Sequence, residues 1–529
     1  MHENRSATIV IGLVAIAVYA ITLFNGFAWD DVLVIVKNPI LTGSTLTPFS
    51  SIDTARETDH TPYYRPLTLL SFLFEYRLHG FNPTLMHLAN LILHILNAIL
   101  SYFLARSITA GHRAALITAL LFAVHPINTE GVAFLSGGRN TLLATFFAMS
   151  AYLLHAKSIA THHRWSAPIA SVLLLAALLS KETAIAIIPF IFAIEVRSQE
   201  VDGPNGWGRA ARRLALYILP LFVYFLLRSH ALANAGPSMP ISPGLFSRLT
   251  DNIYIIPRYL LTILWPPAAS MNYIIPDDLH TLALPLAAGW IAIIAAGAWL
   301  FTRGSKTMRF GMAWLVIFWL PTSGIIPFPS AHMADRYIYL AGFGLWLVLG
   351  ELSAKILSAD NRAARYGLAT VASILVLLAI CTIMRNRVWE NDITLFSDYV
   401  EKHPEEAFGH HNLGTAFLDL AKDPERADRE FAITLALNPT FPLLHTQMGY
   451  IRLLQGKYDE ALLHYDEALI QNPEDAEALL NRGAALEKLG RYREAAADFT
   501  RFLKTPNREL DKARPGIQSK LVELGQHTQ

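Results

Sequence analysis

The sequence predicts an all-α protein that crosses a membrane many times and ends in a short helical solenoid. Three observations lead to this fold class. Of the 529 residues, 53% are hydrophobic and only 16% are charged, which is too apolar a balance for a soluble chain of this length. The apolar residues gather into long spans rather than short periodic runs. Beyond residue 386 the composition turns polar and helical, and related segments recur along the chain.

Charge and cysteine content exclude several classes of function. The formal net charge is +1, so we expect neither a basic face for nucleic acid nor an acidic tail. The chain has a single cysteine, Cys381, so a framework of internal disulfides is excluded. This cysteine lies inside an apolar span.

The first apolar span covers residues 8–24 and follows the polar start Met1-His2-Glu3-Asn4-Arg5. A cleaved signal peptide is the simplest alternative, but no small-residue cleavage site follows Phe24. We therefore expect a retained transmembrane helix. Two adjacent carboxylates, Asp30 and Asp31, follow where the chain leaves the bilayer.

Ten more apolar spans are predicted. Several are shorter than the roughly 20 residues of a full crossing, so they extend into flanking polar residues or border a cavity. The segment 253–265 is interrupted by Pro257 and Arg258 and is not counted as a crossing. The ten spans are residues 86–105, 114–124, 141–156, 167–180, 183–194, 214–227, 282–301, 310–320, 337–352 and 366–383.

Lysine and arginine residues occupy alternate loops, which sets the orientation in the membrane. This pattern predicts eleven spans, a cytoplasmic N-terminus and a C-terminal region on the outer side. It also places four polar stretches together on that side. They are Asp30-Asp31, residues 125–140, Ser180-Lys181-Glu182 and residues 321–336. Short repeats and the lack of disulfides favour a bacterial inner membrane, with the C-terminal domain in the periplasm.

The loop after the first span contains the motif Thr61-Pro62-Tyr63-Tyr64-Arg65-Pro66. Proline suits the first turn of a helix, so Pro66 predicts a helix start. One side of the following stretch, residues 67–78, carries Leu67, Leu70, Phe74 and Leu78. This spacing predicts a helix that lies along the membrane surface.

Internal repeats characterise the C-terminal region. Gly414, Gly449 and Gly483 begin equivalent helices 35 and 34 residues apart, and Asn438-Pro439 is echoed by Asn472-Pro473. This spacing is typical of tetratricopeptide repeats, which stack into a solenoid. We expect about three repeats and a trailing helix over residues 512–524. The predicted domains are residues 1–386 and 387–529.

The aspartate pair is the first candidate for chemistry. Two adjacent aspartates are either the solvated start of a loop or a general base, because a neighbouring carboxylate raises a carboxyl pKa. In the next motif, Arg65 either holds a phosphate or neutralises the aspartates, and Tyr64 is a further candidate. Arg65 at a helix start is otherwise an ordinary surface arginine.

Further candidates follow the later spans. His125 suits a helix cap better than a catalyst, and Glu130 and Arg139 are expected to pair with each other. Lys181 and Glu182 form either an ordinary short loop or a point charge for a lipid phosphate. Arg336 is either an arginine that reaches the interface or a clamp on the same phosphate.

No nucleotide loop, nucleophile elbow or zinc motif occurs. His87 and His94 share a helix face, but no third ligand accompanies them, so we expect no metal site there.

Taken together, these motifs resemble one known family. Asp30-Asp31 after the first span, Tyr64-Arg65-Pro66-Leu67-Thr68 and the stretch 125–130 are similar to motifs of transmembrane O-mannosyltransferases with tetratricopeptide repeats and their prokaryotic relatives. Leu179-Ser180-Lys181-Glu182, the stretch 335–340 and the C-terminal repeats add to the resemblance. Trp29 stands where the eukaryotic members usually have Phe, and the repeat array is much shorter than theirs.

The resemblance implies a C-type membrane glycosyltransferase fold and an inverting reaction. A polyprenyl-phosphate monosaccharide would be the donor, and its mannose-like sugar would pass to an acceptor hydroxyl, such as a protein Ser or Thr. Asp30 would be the base and Asp31 would orient it, while Arg336, Lys181 and Arg65 would stabilise the departing phosphate. No cofactor is obligatory, and a divalent cation beside the aspartates is left open.

Two alternatives compete with this interpretation. One is the same transfer to a lipid or envelope glycan, against which the repeats favour a protein acceptor docked on the solenoid. The other is a membrane scaffold without enzymatic activity, in which the repeats carry the function. A transporter would show inverted repeats, and no such internal symmetry is present.

Overall fold

A computed structural model describes residues 2–42, 47–50, 63–109, 111–202, 206–233, 244–276, 278–325, 332–358, 362–507 and 510–527. Throughout these ranges the regular elements are helices. The chain divides into two compact units, Met1–Asn391 and Asp392–Gln529.

The first unit is a bundle of helices, several of them more than 20 residues long. A 3₁₀ turn, Ala20–Phe24, extends its first helix. Its α-helices are α1 His2–Tyr19, α2 Thr47–Ser50, α3 Pro66–His79, α4 Pro83–Ile108, α5 His112–Val124, α6 Thr129–Ala133, α7 Leu135–Thr161, α8 Ser166–Ser180, α9 Ile188–Asp202, α10 Gly206–Ala215, α11 Ile218–Ala233, α12 Leu245–Leu264, α13 Ala283–Arg303, α14 Lys306–Trp319, α15 Ile338–Leu357 and α16 Arg362–Val388.

Within the described ranges, seven helical stretches are long and apolar enough to cross a membrane. Counting α5 and the bent segment after it as one span raises the number to eight. Helix α12 contains Pro257 and is not among them. The total of eleven spans stays a prediction. The seven are His2–Phe24, Pro83–Ile108, Leu135–Thr161, Trp207–Ala233, Ala283–Arg303, Asp335–Leu357 and Ala364–Val388.

The surface helix predicted over residues 67–78 corresponds to α3. Pro66 is its first residue, as expected. Phe74 and Leu78 are exposed, whereas Leu69, Phe72 and Leu73 pack into the protein. Helix α3 therefore has one side on the bundle and one apolar side facing outward.

The chain bends by 54° after α5. Pro126 has no N–H to continue the helix, so the last carbonyl groups of α5 lose their intrahelical partners. Side chains supply the missing donors. Asn128 Nδ2 donates to Phe122 O, His94 Nε2 to Ala123 O and Thr382 Oγ1 to Val124 O.

Helix α4 supports this bend with one polar face of four fully buried side chains. Each of the four donates to a backbone carbonyl of another segment, and the carbonyls of Ala123 and Val132 belong to the ends of α5 and α6, which flank the bend. Unpaired carbonyls at membrane depth cost several kcal/mol, so these two contacts stabilise the break. The four contacts are His87 to Gly26 O, Asn90 to Val132 O, His94 to Ala123 O and Asn97 to Leu142 O.

The second unit is a row of antiparallel helix pairs. Glycines in the first helix of each pair lie against an aromatic ring of the second: Gly414 on Phe431, Gly449 on Tyr465 and Gly483 on Phe499. The trailing helix predicted over residues 512–524 is α24. The helices are α17 Asp392–Lys402, α18 Ala407–Ala416, α19 Pro424–Leu437, α20 Leu444–Leu454, α21 Tyr458–Gln471, α22 Ala476–Lys488, α23 Tyr492–Lys504 and α24 Arg514–His527.

Replacing Gly483 by Ala is expected to destabilise the solenoid by about 1–3 kcal/mol, because overpacking a close contact costs that much. The added methyl group would lie 2.6 Å from the buried ring of Phe499. Gly516→Ala is the matched control, since nothing lies within 4 Å of a methyl group there. Hydrogen exchange of the amides in α22 and α23 measures the effect, and equal protection in both variants would contradict the packing argument.

Candidate active site

The carboxylate of Asp31 is fully buried and held by backbone groups. Its two oxygens accept from Ser136 N at 2.7 Å and from Ala28 N at 3.3 Å. Burial raises the pKa of Asp31 to about 7, against the opposing effect of these hydrogen bonds. Ser136 is in the first turn of α7, so Asp31 ties the loop after the first span to that helix.

Asp30 lies beside Asp31 and is the more exposed of the two, at 8% against 0%. Its carbonyl oxygen accepts from Val34 N at 2.8 Å, which fixes its backbone at the start of a helical turn. The preceding residue, Trp29, has a φ of 55°, a left-handed conformation that costs a bulky residue about 1–2 kcal/mol. The ring of Trp29 stacks on Phe134 with centroids 5.3 Å apart.

Arg336 forms a buried ion pair with Glu130. The guanidinium Nη1 contacts Glu130 Oε1, and the backbone N of Arg336 donates to Glu130 Oε2 at 2.9 Å. The guanidinium carbon lies 5.8 Å from the centroid of Phe134 and 5.1 Å from that of Tyr337. Arg336 therefore lies over aromatic rings at the start of α15.

Arg65 pairs with Glu182 through two hydrogen bonds of 2.8 Å and 3.3 Å. Burial opposes both charges, but each partner stabilises the other. The pKa of Arg65 is accordingly raised and the pKa of Glu182 is lowered from their ordinary values. The ring of Tyr63 lies 4.2 Å from the Arg65 guanidinium carbon.

Lys181 is 5% exposed and lies among the other charges. Its Nζ donates to Thr141 Oγ1 at 2.8 Å and lies 5.3 Å from the ring centroid of Tyr337. Burial, followed by repulsion from Arg65 and Arg336, lowers the pKa of Lys181 to about 7. This lysine therefore changes charge near neutral pH.

These five side chains form one group, which we call the cation cluster: Arg65, Lys181, Arg336, Glu130 and Glu182. Three cations and two carboxylates leave one positive charge when all are ionised. The Arg65 and Arg336 side chains are each 17% exposed. Partly exposed guanidinium groups with a net positive charge are suited to bind an anion such as a phosphate.

The cation cluster and the aspartate pair meet at Phe134. The ring of Phe134 stacks on the ring of Trp29, the residue before Asp30. The same Phe134 ring also lies under the guanidinium of Arg336. Ser136, two residues later, donates its backbone N–H to Asp31. The start of α7 therefore brings the carboxylate pair and the cation cluster to the same end of the bundle.

Three other predicted candidates, His125, Tyr64 and Arg139, make contacts that stabilise the fold. His125 and Tyr64 are packed inside the bundle. His125 caps the turn after α5, accepting from Ile127 N, and its ring stacks on Trp346. Tyr64 donates its hydroxyl to Phe49 O and is fully buried.

Arg139, the third candidate, pairs with Glu75 at 2.7 Å and donates to Met86 O and Ser71 Oγ. It also contacts Asn90 Oδ1.

The pairing expected between Glu130 and Arg139 is therefore wrong, and so is one of the two alternatives for Arg65. Glu130 pairs with Arg336 rather than Arg139, and Arg65 pairs with Glu182 rather than with the aspartates. Glu130 and Arg139 are close in sequence, but their side chains face different neighbours in the folded chain. Thr61 and Pro62 of the loop motif, and residues 326–331 of the outer stretch 321–336, lie outside the described residues.

Sequence reasoning also missed several residues of the site: Trp29, Phe134, Ser136, Thr141 and Tyr337. Tyr337 follows Arg336 in a motif that was noted for its arginine alone. The other four have no charge and no periodic signal. In the described ranges no group of three or more His, Cys, Asp or Glu side chains is placed to hold a metal ion.

The fold and the site define a class: a helical membrane protein with a carboxylate pair and a cluster of net positive charge at one end of its bundle. Comparison with known proteins shows which families parts of the chain are similar to. Residues 65–224 match the family model of dolichyl-phosphate-mannose-protein mannosyltransferases, and residues 446–509 match the tetratricopeptide repeat. Four of the five residues of the cation cluster lie within the first of these matches.

Curated relatives agree with these matches. The chain is 25% identical to the protein O-mannosyl-transferase TMTC3 of Mus musculus, over 94% of this chain and 54% of that protein. It is 27% identical to a protein O-mannosyl-transferase of Caenorhabditis elegans, over 83% of this chain and 63% of that protein. The chain thus spans between half and two thirds of the length of these relatives.

Among solved structures, the archaeal oligosaccharyltransferase AglB of Archaeoglobus fulgidus aligns with a TM-score of 0.40 and 14% identity. The alignment covers 73% of this chain and 56% of that one. The resemblance to O-mannosyltransferases with tetratricopeptide repeats is confirmed by the family matches and relatives. The predicted all-α fold with apolar helices and C-terminal repeats is also confirmed. The apolar helices and the relatives indicate an integral membrane protein.

Arg139 is expected to act as a positioning residue that fixes α3 and α4 against α7. Arg139→Met should lower the free energy of unfolding by about 3–5 kcal/mol, because it leaves the Glu75 carboxylate buried without its partner. Thermal unfolding in lipid nanodiscs measures this loss. Arg303→Met, at an exposed helix end, is the control and should have little effect.

The double variant Glu75→Leu/Arg139→Met tests whether the unpaired Glu75 carboxylate causes the loss of stability. Removing both charges should recover most of the stability lost in the single variant. If the double variant is as unstable as Arg139→Met alone, the unpaired carboxylate is not the cause.

Proposed function

We propose that this chain is a membrane glycosyltransferase of the C-type fold. It moves a mannose-like monosaccharide from a polyprenyl-phosphate donor to a hydroxyl of a protein Ser or Thr. The observation that carries the proposal is the meeting of the aspartate pair and the cation cluster at Phe134. The mannosyltransferase family match and the named relatives support the same chemistry.

In the proposed reaction Asp30 takes the proton of the acceptor hydroxyl. The resulting oxygen nucleophile forms a bond to the anomeric carbon, and the bond from that carbon to the phosphate oxygen breaks on the opposite face. Asp31 fits an orienting role because both of its oxygens are already occupied by backbone N–H groups. Asp30 is the more exposed carboxylate and therefore the better placed base.

The cation cluster is the proposed phosphate subsite. The donor is a phosphodiester with one negative charge, which matches the single positive charge of the cluster. As the sugar leaves, a second negative charge develops on the phosphate, and fixed cations that meet this charge lower the barrier. Arg336 and Arg65 reach the exposed side of the cluster, while Lys181 supports them from within.

A cavity of about 380 Å³ supports a lipid donor. It lies between α3 and α7, and begins two residues from Arg65 on one helix and two from Thr141 on the other. An apolar cavity lined by residues that closely follow Arg65 and Thr141 in the chain suits a prenyl chain whose phosphate is held by the cations. Its lining residues are Leu67, Leu70, Ser71, Leu73, Phe74, Arg77, Leu143 and Phe147.

The proposal extends to the orientation in the membrane, the docking of the acceptor and the metal requirement. The N-terminus is cytoplasmic, and the site and the repeats face the periplasm of a bacterial inner membrane. The tetratricopeptide repeats dock the acceptor protein. Transfer needs no obligatory metal, so a chelator should leave the activity unchanged, whereas loss of activity would indicate a divalent cation beside Asp30 and Asp31.

The test is transfer from radiolabelled polyprenyl-phosphate mannose to an envelope extract by the purified full chain in lipid. Asp30→Asn should lower the rate by about 10²–10⁴-fold, the usual contribution of a general base, with unchanged thermal stability. Other lipid-linked sugars are tried next if mannose is not used. No transfer by the wild type from any of them, or full activity of Asp30→Asn, would contradict the proposed function.

The double variant Glu130→Gln/Arg336→Met probes the phosphate subsite without leaving a buried charge unpaired. It removes one cation and one carboxylate, so the net charge of the cluster is unchanged. We expect the transfer rate to fall at least about tenfold, because the charge that meets the leaving phosphate is lost. Glu75→Leu/Arg139→Met, the pair outside the cluster, is the matched control and should retain far more activity.

The pH dependence of kcat/KM should follow the protonation state of Lys181. Because its pKa is lowered to about 7, the lysine is charged below pH 7 and loses its charge as the pH rises above it. The phosphodiester keeps its charge over this range, so kcat/KM should decline above about pH 7. In Lys181→Arg, which stays charged, this decline should disappear, and a decline of equal size in both proteins would exclude Lys181 as its cause.

A further inference from the structure

We infer that the hydroxyl of Tyr337 donates a hydrogen bond to the phosphate of the lipid donor. The inference rests on the proposed function and adds a neutral phosphate-binding residue to the three cations. Tyr337 ends the 3₁₀ turn Asp335–Tyr337, directly after Arg336 and directly before α15. Its backbone N donates to Ala334 O at 3.0 Å, so the turn fixes the point from which the side chain extends.

The ring of Tyr337 lies against two cations of the cluster. Its centroid is 5.3 Å from Lys181 Nζ and 5.1 Å from the guanidinium carbon of Arg336. Both distances are short enough for an aromatic face to attract a cation. The two contacts hold the ring in the cluster, and the hydroxyl, which lies in the plane of the ring, is held there with it.

The third cation, Arg65, is also within electrostatic range of this hydroxyl. Burial lowers the pKa of Arg65, whereas Glu182, followed by Tyr63 and Tyr337, raises it. Burial likewise raises the pKa of Tyr63, Arg65 opposes this effect, and Tyr337 raises that pKa further. Because the ring of Tyr63 lies 4.2 Å from the Arg65 guanidinium carbon, the two tyrosines and this arginine are close neighbours.

The hydroxyl of Tyr337 differs from those of two nearby buried tyrosines in its hydrogen bonding. Tyr259 donates its hydroxyl to Ala334 O at 3.0 Å, and the hydroxyl of Tyr339 lies 2.7 Å from His94 Nδ1. For the hydroxyl of Tyr337, the described part of the chain provides no hydrogen-bond partner, although the residue is only 8% exposed. A polar group that is nearly buried normally has a partner, because leaving it without one is costly.

The chemistry of the neighbouring side chains indicates what this partner is. Lysine and arginine side chains donate hydrogen bonds and do not accept them, so the three cations cannot serve the Tyr337 hydroxyl. The two carboxylates of the cluster, Glu182 and Glu130, are paired with Arg65 and Arg336. The position therefore favours an acceptor that a ligand brings, and the phosphate oxygens attracted by the same cations are acceptors only.

A neutral donor gives the phosphate something that a fourth cation would not. It adds a hydrogen bond and leaves the net charge of the cluster at one, which matches the phosphodiester. The bond also strengthens as the second negative charge develops on the departing phosphate, because hydrogen bonds to charged groups are the stronger ones. The hydroxyl of Tyr337 thus favours the transition state over the bound donor.

The experiment compares the binding of two lipids to the full chain in nanodiscs: polyprenyl phosphate and the corresponding polyprenol, which has no phosphate. For Tyr337→Phe we expect the dissociation constant of polyprenyl phosphate to rise about tenfold or more, the usual effect of losing a hydrogen bond to a charged group. Binding of the polyprenol should stay within about twofold, because the ring and its contacts with the cations are retained.

Tyr76→Phe is the matched control. Tyr76 is a half-buried tyrosine outside the cluster, and its ring stacks on Phe81. This variant should bind both lipids as the wild type does. Thermal unfolding of the two variants without added lipid shows whether each keeps its fold, and we expect both to unfold at the temperature of the wild type.

Two results would overturn the inference and leave the proposed function intact. In one, Tyr337→Phe binds polyprenyl phosphate as tightly as the wild type. In the other, it weakens the binding of both lipids equally, which would assign Tyr337 to the fold or to the prenyl chain. If the wild type itself does not prefer polyprenyl phosphate to the polyprenol, the phosphate subsite of the proposed function is wrong, and the inference fails with it.

Discussion

The site depends on a helix that is interrupted inside the membrane unit. Pro126 ends the regular hydrogen bonding of α5, and the chain bends by 54° before it continues. Membrane depth tolerates such a break only where other groups satisfy the freed carbonyls. The polar face of α4, together with Asn128 and Thr382, does this, and it places Glu130 and the start of α7 at the same end of the bundle. Glu130 and Phe134 lie on the segment that follows this break, and Arg336 and Trp29 contact them.

The charged groups of the site show why buried cations and carboxylates occur there in pairs. An isolated buried charge is costly, so Arg65 and Arg336 each lie against a carboxylate. Lys181 is the exception, because its Nζ donates to the neutral hydroxyl of Thr141 and its pKa is lowered. Under the proposed function, the excess of one cation attracts the phosphate of the donor. A second ion pair, Arg139 with Glu75, follows the same rule outside the cluster and joins α3 to α7.

The sequence predicted the fold class, the C-terminal repeats and the helix that begins at Pro66, because each depends on local composition or a regular period. It also singled out the ionisable residues that gather at the site, since charges beside apolar spans are conspicuous. It failed where the partner is distant in the chain: Glu130 meets Arg336, which is 206 residues away. The stack of Trp29, Phe134 and Trp389 had no signal of its own, because aromatic residues near apolar spans are ordinary, and only the folded chain brings these three together.

The single net positive charge of the cation cluster has a consequence for turnover under the proposed function. The donor reaches it with one negative charge, but the spent lipid carries up to two once the sugar has gone. A fixed cluster therefore holds the product more tightly than the substrate, and every contact that assists departure of the phosphate also delays its release. The speed of repeated cycles would then be governed by the exchange of spent carrier with the surrounding bilayer rather than by bond breaking.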